Sequence, residues 1–383
     1  MKSVLMVHSR LGPKGGGQAV AAWALEALRG RCELSLLTLQ PVDLPAVNLH
    51  FGTTLQPGDF ELLEATSLLQ RLMEVAPMPL ALLHNALLMR AAQQLSATGR
   101  FDRFLSTDNE MDFGRRGVHY VHFPYAYLKR PDGDHRWYHR LPGAVPAYRR
   151  LSDRVSGVSL ERLRSNRALV NSGFIRGLYR EAHGVESTVL PPPVPGDFPQ
   201  APWSRRKNLI ACVGRLDSSK RWLEAIDIVR QVRAQGLDVG LLILGSRDSP
   251  GYMRALEAKA ATEPWCELAA DLSRNDLVRR VSECRYGLHL MIEEHFGIAP
   301  AELQRAGCLT FVHNSGGPVE IVDGDREVLF DDDREAAQKI ARMIQDDAAR
   351  NAALRRLAAR AERYSEQTFM ESIRQEVLGS ISS

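Results

Sequence analysis

The sequence predicts an α/β protein made of two doubly wound parallel sheets that face each other across a cleft. Short apolar runs alternate with helical stretches through both halves of the chain, as in parallel sheets covered by helices. Between the halves, residues 191–196 hold four prolines and one glycine and cannot continue a helix or a central strand. We therefore expect one Rossmann-like domain at residues 1–190 and another at 197–364.

The first half begins with an apolar run at 3–8 and a glycine-rich loop that includes Gly16 and Gly17. A helical stretch at 18–29 and a second apolar run at 33–39 follow. Strand, glycine loop, helix and strand in this order are the start of a doubly wound unit. Further strands are predicted at 103–106, 118–123, 168–171 and 188–190.

The same alternation restarts after the proline linker. Strands are predicted at 208–213, 239–244, 286–292 and 309–313, and helices at 222–235, 276–284 and 299–305. The highly charged tail at 334–375 is expected to be helical.

Composition and charge exclude several classes of protein. A formal net charge of +3 gives no reason to expect a dedicated nucleic-acid binder. The five cysteines contain no C-x-x-C pair, which argues against a zinc site or a disulfide framework. The apolar stretches are too short to span a membrane, which takes about 20 residues. We therefore expect a soluble cytoplasmic protein.

A first candidate site lies where a predicted strand ends and the next helix begins. Gly214 allows close approach to the backbone, and Arg215 and Lys220 follow within one turn. Both cations can converge on one anion, and a diphosphate suits an arginine fork beside a lysine point charge. A solvated pair of surface charges is the alternative.

A second candidate site follows the run at 286–292. Glu294 and Glu302 stand eight positions apart, with Phe296, Gly297 and Ile298 between them. A helix starting near Gly297 would present free N–H groups to a diphosphate, while the carboxylates suit sugar and ribose hydroxyls. The alternative is a glutamate favoured by the helix dipole and an ordinary surface glutamate.

A third motif, at 314–318, follows the predicted strand 309–313. Gly316 and Gly317 permit a tight turn, and Pro318 and Glu320 suit the first turn of a helix. A plain strand-to-helix turn is the alternative.

The three motifs in this order resemble the GT-B glycosyltransferases, specifically the large retaining family 4. Its pattern is G-R-x4-K, then E-x7-E around F-G-I, a small-residue turn and a stretch close to Ile321–Gly324. Residues 294–298 and 313–318, with 120–124, are most similar to the α-1,2-mannosyltransferases that extend dolichol-linked oligosaccharides. Unlike those enzymes, this chain shows no N-terminal apolar span.

The resemblance implies a role for each candidate residue. Arg215 and Lys220 would hold the donor diphosphate and stabilise the leaving group in place of a metal, beside Gly214. Glu294 would bind the donor sugar, and Glu302 would bind the ribose. The remaining candidates would contact donor or acceptor: the backbone of Phe296, Gly297 and Ile298, the loop glycines Gly16 and Gly17, and the imidazole of His122, for which a satisfied core histidine is the alternative.

The implied function is a retaining, metal-independent transfer of a hexose to a glycan, a lipid-linked or a small-molecule acceptor, with no cofactor. GDP-mannose is the first expectation for the donor, and UDP-sugars remain open. The Asp-Gly-Asp sequences at 132–134 and 323–325 resemble metal-binding D-x-D motifs of another fold, but we interpret both as turns.

Two alternatives to this function remain open. A Rossmann dehydrogenase is disfavoured because the opening loop lacks G-x-G-x-x-G. A non-catalytic binding or scaffold protein is disfavoured by the complete set of Arg215, Lys220, Glu294 and Glu302.

Two surface features carry further expectations. Residues 129–180 hold 12 basic and four acidic side chains with aromatic residues among or beside them, which suits an anionic acceptor or an anionic membrane face. A solvated surface is the alternative. The resemblance also implies that the last helical segment, residues 365–383, crosses back onto the N-terminal domain. Phe369, Ile373 and Val377 form an apolar stripe that needs such a partner surface.

Overall fold

The computed structural model describes residues 1–13, 15–65, 81–124, 143–199, 201–248, 250–358 and 361–379. The chain divides into two compact units. Met1–Pro193 and Glu366–Ser383 form the N-terminal unit, and Val194–Ser365 forms the C-terminal unit. The chain therefore passes between the units twice, once inside the proline-rich linker and once just before the last helix.

Within the described residues, seven parallel strands form the sheet of the N-terminal unit, in the order β3-β2-β1-β4-β5-β6-β7. The strands are β1 (Ser3–Val7), β2 (Glu33–Thr38), β3 (Glu61–Glu64), β4 (Arg103–Ser106), β5 (Val118–Val121), β6 (Arg167–Val170) and β7 (Thr188–Val189). The helices are α1 (Gly16–Leu28), α2 (Leu44–Phe51), α3 (Ala81–Ala97), α4 (Ala144–Ser156), α5 (Leu160–Arg164) and α6 (Gly173–His183).

Strand β1 runs through the middle of this sheet and is apolar along almost its whole length. Val4 and Met6 pack into the hydrophobic core on one face, and Leu5 and Val7 pack into the core on the other. A strand buried on both faces has no polar side, which explains the continuous apolar run in the sequence.

Six parallel strands of the described residues form the second sheet, in the order β10-β9-β8-β11-β12-β13. They are β8 (Lys207–Val213), β9 (Gly240–Gly245), β10 (Cys266–Ala270), β11 (Cys284–His289), β12 (Leu309–His313) and β13 (Leu329–Phe330). Helices α7 (Trp222–Arg233), α8 (Pro250–Ala261), α9 (Arg274–Ser282), α10 (Ile298–Arg305), α11 (Pro318–Ile321), α12 (Asp333–Gln345) and α13 (Asp347–Ala358) follow. Strand β11 ends earlier than the sequence predicts, so residues 290–292 lie beyond it.

The last helix, α14 (Glu366–Leu378), packs in the N-terminal unit against α1. Phe369, Ile373 and Val377 are buried in the same hydrophobic core as α1 and β1. Arg374 donates a hydrogen bond from Nε to the Ala27 carbonyl oxygen at 2.7 Å. The predicted return of the C-terminal helix to the N-terminal domain is therefore confirmed.

Several sequence features lie outside the described residues or have a plain structural explanation. The Asp-Gly-Asp sequence at 132–134 and most of the aromatic residues beside the basic stretch fall in 125–142, which the structure does not describe. Asp323 and Gly324 adopt positive φ angles of 58° and 66° in a turn after α11, as the sequence predicts. In the part of the chain that is described, no helix is long and apolar enough to cross a membrane.

Candidate functional site

The loop after β8 is held in place by close backbone packing. Gly214 directly follows β8, and a Cβ added to Gly245 would lie 1.7 Å from the Gly214 carbonyl oxygen. Trp222 donates from Nε1 to the Arg215 carbonyl oxygen at 2.9 Å, and Asp217 caps the turn Ser218–Lys220. Only glycine at position 245 leaves room for the backbone of the loop at Gly214. The loop therefore presents Arg215 and Lys220 at the carboxyl end of the sheet, where ligands of parallel sheets bind.

Lys220 and Glu294 form a mostly buried ion pair. The Lys220 ammonium contacts Glu294 Oε2 and lies 3.1 Å from the Met291 sulfur. The two side chains are 12% and 16% exposed. His289, the last residue of β11, places its Nε2 3.5 Å from the same Glu294 oxygen. Two residues that the sequence separates by 74 positions are thus brought together, with a histidine that the sequence analysis did not single out.

The charge state of Glu294 follows from these neighbours. Burial alone would raise the pKa of its carboxyl group. The nearby imidazole of His289 and the positive charge of Lys220 outweigh burial, and they hold the pKa of Glu294 well below its usual value. Glu294 is therefore an anion throughout the neutral range, able to accept hydrogen bonds from hydroxyl groups.

Arg215 occupies a different environment from Lys220. Its side chain is 60% exposed and lies 2.9 Å from Asp248 Oδ2 and 3.1 Å from Asp217 Oδ2. The two cations of the G-R-x4-K motif thus pair with different carboxylates: Arg215 with Asp217 and Asp248, and Lys220 with Glu294. Arg215 is the more accessible of the two for an incoming anion.

The turn after β12 supports the Glu294 backbone. Gly317 donates its N–H to the Glu294 carbonyl oxygen at 2.8 Å, and Ser315 Oγ accepts from the Glu293 N–H at 2.8 Å. Gly316 has a φ of 72°, and a Cβ there would lie 2.3 Å from the Glu294 carbonyl oxygen. The third motif, at 314–318, therefore supports the backbone of the second motif at Glu294. Its glycines are needed for this close backbone contact.

Helix α10 begins beside Glu294, as the sequence predicts. Gly297, with a φ of 98°, occupies the position before its first turn. Phe296 is buried in the core of the unit, and Ile298 packs partly against it. The first N–H groups of the helix have no acceptor within the helix, and their binding of an anion stays a prediction.

Glu302 lies inside α10 and is almost fully buried. Arg274 of α9 donates from Nη1 to Glu302 Oε1 at 2.5 Å and also binds the Pro195 carbonyl oxygen. The guanidinium stacks over the Phe198 ring, 5.7 Å from its centroid. Arg274 is a residue that sequence analysis missed, because no local motif pairs it with a glutamate 28 positions away. It fixes one oxygen of the carboxylate that we expect to meet the ribose.

A second polar group occupies the carboxyl edge of the N-terminal sheet. His122 donates from Nε2 to the Thr107 carbonyl oxygen at 3.1 Å, and Asn109 Oδ1 accepts its backbone N–H at 2.7 Å. A Cβ on Gly17 would come 3.3 Å from His122 Nε2, so the glycine permits α1 to approach the imidazole. Gly16 is the first residue of α1. Gly17 and His122 therefore lie together, and their contact with donor or acceptor stays a prediction.

His8 joins this group and was not predicted. Its buried ring lies between Gln18 Oε1, 3.0 Å from Nε2, and Thr107 Oγ1, 3.0 Å from Nδ1. Gln18 Oε1 also accepts the Gly12 N–H at 3.1 Å. The signal that the sequence offered was a polar residue directly after the apolar run of β1. His8 ties the glycine-rich loop to the end of β4.

The described residues contain no cluster of three or more histidine, cysteine, aspartate or glutamate side chains suited to a metal ion. The charged groups at the candidate site are instead arranged as cation–carboxylate pairs, Lys220 with Glu294 and Arg274 with Glu302.

Residues 195–363 match the family model of glycosyl transferases group 1. The human GDP-Man:Man(3)GlcNAc(2)-PP-Dol alpha-1,2-mannosyltransferase is 32% identical over 123 residues, covering 30% of this chain and 25% of that enzyme. The Dictyostelium discoideum protein of the same name is 27% identical over 164 residues, covering 38% and 32%. The matched stretches thus span a third or less of these relatives.

Solved structures match over nearly the whole chain. WaaG, a glycosyltransferase involved in lipopolysaccharide biosynthesis, superimposes with a TM-score of 0.70 at 16% identity, covering 98% of this chain and 100% of WaaG. Anabaena HepE in complex with UDP and glucose gives 0.66 at 15% identity, covering 98% and 99%. Together with the two parallel sheets, these likenesses confirm the predicted GT-B fold.

Proposed function

We propose that this chain, whose residues 195–363 form a glycosyl transferases group 1 domain, is an enzyme that transfers a hexose from a nucleotide sugar to an acceptor hydroxyl. The observation that carries the proposal is the buried Lys220–Glu294 pair at the carboxyl end of the C-terminal sheet. A cation beside a carboxylate suits a ligand that has a phosphate next to a sugar.

In this proposal the donor diphosphate binds Lys220, Arg215 and the N-terminus of α10. The cations stabilise the charge that develops on the leaving phosphate. Glu294 accepts hydrogen bonds from sugar hydroxyls, and Glu302, oriented by Arg274, accepts them from the ribose.

The chemical step that we propose retains the configuration at the sugar. The bond between sugar C1 and the diphosphate oxygen breaks, and the acceptor oxygen bonds to C1 on the same face. The acceptor proton passes to the departing phosphate oxygen, so the step needs no separate base and no redox partner. Positive charge from Lys220 and Arg215 takes the place of a metal ion.

GDP-mannose is the donor we propose first, because the curated relatives carry GDP-Man in their names. A UDP-sugar is the alternative. A glycan, a lipid-linked glycan or a small molecule with a free hydroxyl would be the acceptor.

A thermal-shift panel tests the proposal, with GDP, GDP-mannose, UDP, UDP-glucose and NAD each added to the full chain. A nucleotide sugar at 100 times its Kd should stabilise the protein by about 2.7 kcal/mol. Release of nucleoside diphosphate should then persist in excess EDTA. Stabilisation by NAD alone would favour a dehydrogenase, and binding without cleavage would favour a non-catalytic protein. Loss of cleavage in EDTA, restored by Mg²⁺, would contradict metal independence.

We also propose that the acceptor side touches an anionic membrane. Among the described residues, α4 and α5 expose Leu151 and Leu160 beside several arginines. Leu151 is 52% exposed and is flanked by Arg150 and Arg154. Apolar tips among cations are the pattern that binds anionic lipid surfaces.

Vesicle sedimentation tests this contact. Binding to phosphatidylglycerol vesicles should exceed binding to phosphatidylcholine vesicles. Arg150→Glu with Arg154→Glu should weaken it by at least roughly thirtyfold, since each basic residue near such a surface contributes about 1 kcal/mol. The matched control is Arg254→Glu with Arg279→Glu, two exposed residues of the C-terminal unit. Equal losses in both pairs would argue against a specific membrane face.

A further inference from the structure

His289 is a buried histidine without an evident structural task. It ends β11, its side chain is 1% exposed, and its sequence neighbours Leu288 and Leu290 are fully buried apolar residues. Within the described residues, neither ring nitrogen has a partner at hydrogen-bonding distance. An unsatisfied buried polar group is unfavourable, so an apolar residue would serve packing better.

The imidazole approaches the carboxylate of Glu294. Nε2 lies 3.5 Å from Glu294 Oε2, slightly beyond a formed hydrogen bond. The same oxygen is contacted by the Lys220 ammonium. While Lys220 pairs with the carboxylate, His289 lies close to it without forming a hydrogen bond.

Donor binding would change this balance. A diphosphate brings negative charge to Lys220, whose flexible stem lets the ammonium turn toward it. Glu294 would then be a buried carboxylate that has lost part of its counterion, which is costly unless another donor replaces it. His289 is placed to supply that donor.

We propose that His289 is a positioning residue whose Nε2–H takes hold of the Glu294 carboxylate when the donor phosphates draw Lys220 away. Glu294 then stays fixed in the orientation that meets the sugar hydroxyls. The inference rests on the proposed function, because it needs a phosphorylated sugar donor at Lys220.

The role requires a neutral ring with its proton on Nε2. Burial lowers the pKa of His289, and the charge of Lys220 lowers it further, against the opposing effect of Glu294. The ring is therefore uncharged at neutral pH. A neutral imidazole carries one N–H, and only the Nε2 tautomer can donate to Glu294.

Two substitutions separate this role from packing. The side-chain amide of His289→Gln places an N–H donor at the position of Nε2. His289→Asn places it at the position of Nδ1, pointing away from Glu294. Both variants are polar and lack the ring. Each therefore controls for the effect of losing the ring on the stability of the protein.

The binding and kinetic measurements use GDP and GDP-mannose, or UDP and UDP-glucose if the wild-type chain prefers uridine. Both variants should bind the nucleoside diphosphate like the wild type. His289→Gln should keep kcat within about threefold, and His289→Asn should lower it by about tenfold or more, as for loss of a hydrogen bond to a charged group. Equal kcat values in the two variants would overturn the proposal.

Nitrogen-15 NMR of the imidazole supplies a readout that does not depend on activity. The signals of His289, assigned by their loss in His289→Gln, should show the Nε2–H tautomer and should shift in Glu294→Gln. A proton on Nδ1, or no response to Glu294→Gln, would overturn the proposal. If the wild-type chain binds no nucleotide sugar, the proposed function fails, and the tautomer still decides whether His289 faces Glu294 as a donor.

Discussion

Replacing Lys220 by alanine should slow transfer by about ten- to a hundredfold and weaken nucleoside-diphosphate binding to a similar extent. The substitution removes charge-assisted contacts of about 1.5–3 kcal/mol to the donor. It also leaves Glu294, which is 16% exposed, without its cation. Loss of one member of a buried ion pair destabilises proteins, so the free energy of unfolding of the C-terminal unit should fall by about 3 kcal/mol. Calorimetry with the diphosphate and denaturant titration measure the two effects.

Two controls separate binding from stability. Lys220→Ala combined with Glu294→Gln should regain most of the lost stability, because no buried charge is left unpaired, while transfer should stay low. Arg215→Ala should weaken diphosphate binding by roughly tenfold or more without a change in stability, since its side chain is 60% exposed. Unchanged diphosphate affinity in both single variants would contradict the proposed phosphate site.

Replacing Phe369 by alanine should destabilise the N-terminal unit by about 3–5 kcal/mol, the usual cost of truncating a buried phenylalanine. The ring is buried and packs edge-on against Tyr120, with the ring centroids 6.4 Å apart. Hydrogen exchange locates the effect, since a single unfolding free energy is poorly defined for a two-unit chain. Amides of α1 and β1 should lose protection, and those of β8 should keep it.

Gln375→Ala on the exposed side of α14 is the matched control and should change protection by no more than about 0.5 kcal/mol. Equal loss of protection in β1 and β8 after Phe369→Ala would mean that α14 does not stabilise one unit selectively.

The alternation of apolar runs and helical stretches predicted most strands of both sheets, because strands buried on two faces leave a continuous apolar signature. Three edge strands, β3, β10 and β13, were missed for the opposite reason. Strand β3 reads Glu-Leu-Leu-Glu and lies at an edge, where burial is partial, and β13 contains only two residues. Local composition is a weak predictor of a strand that is short or partly exposed, because its conformation depends on pairing with the neighbouring strand.

The candidate site was predicted in part. The motif residues Lys220 and Glu294 lie together because strand ends of one parallel sheet share an edge, but their ion pair was not itself predicted. The pairing of Arg274 with Glu302 and the approach of His289 to Glu294 were not predictable, because they join separate elements without a local pattern. The proposed ligand contacts of these residues stay predictions.

The return of α14 to the N-terminal unit has a consequence for how the protein is made. The core around β1 and α1 lacks Phe369, Ile373 and Val377 until the ribosome has synthesised all of Val194–Ser365. At about 5–20 residues per second, this interval is on the order of ten to thirty seconds. During that time the nascent N-terminal unit exposes the apolar surface that α14 later covers, and chaperones can bind there. The C-terminal unit is encoded without interruption and can complete its fold first.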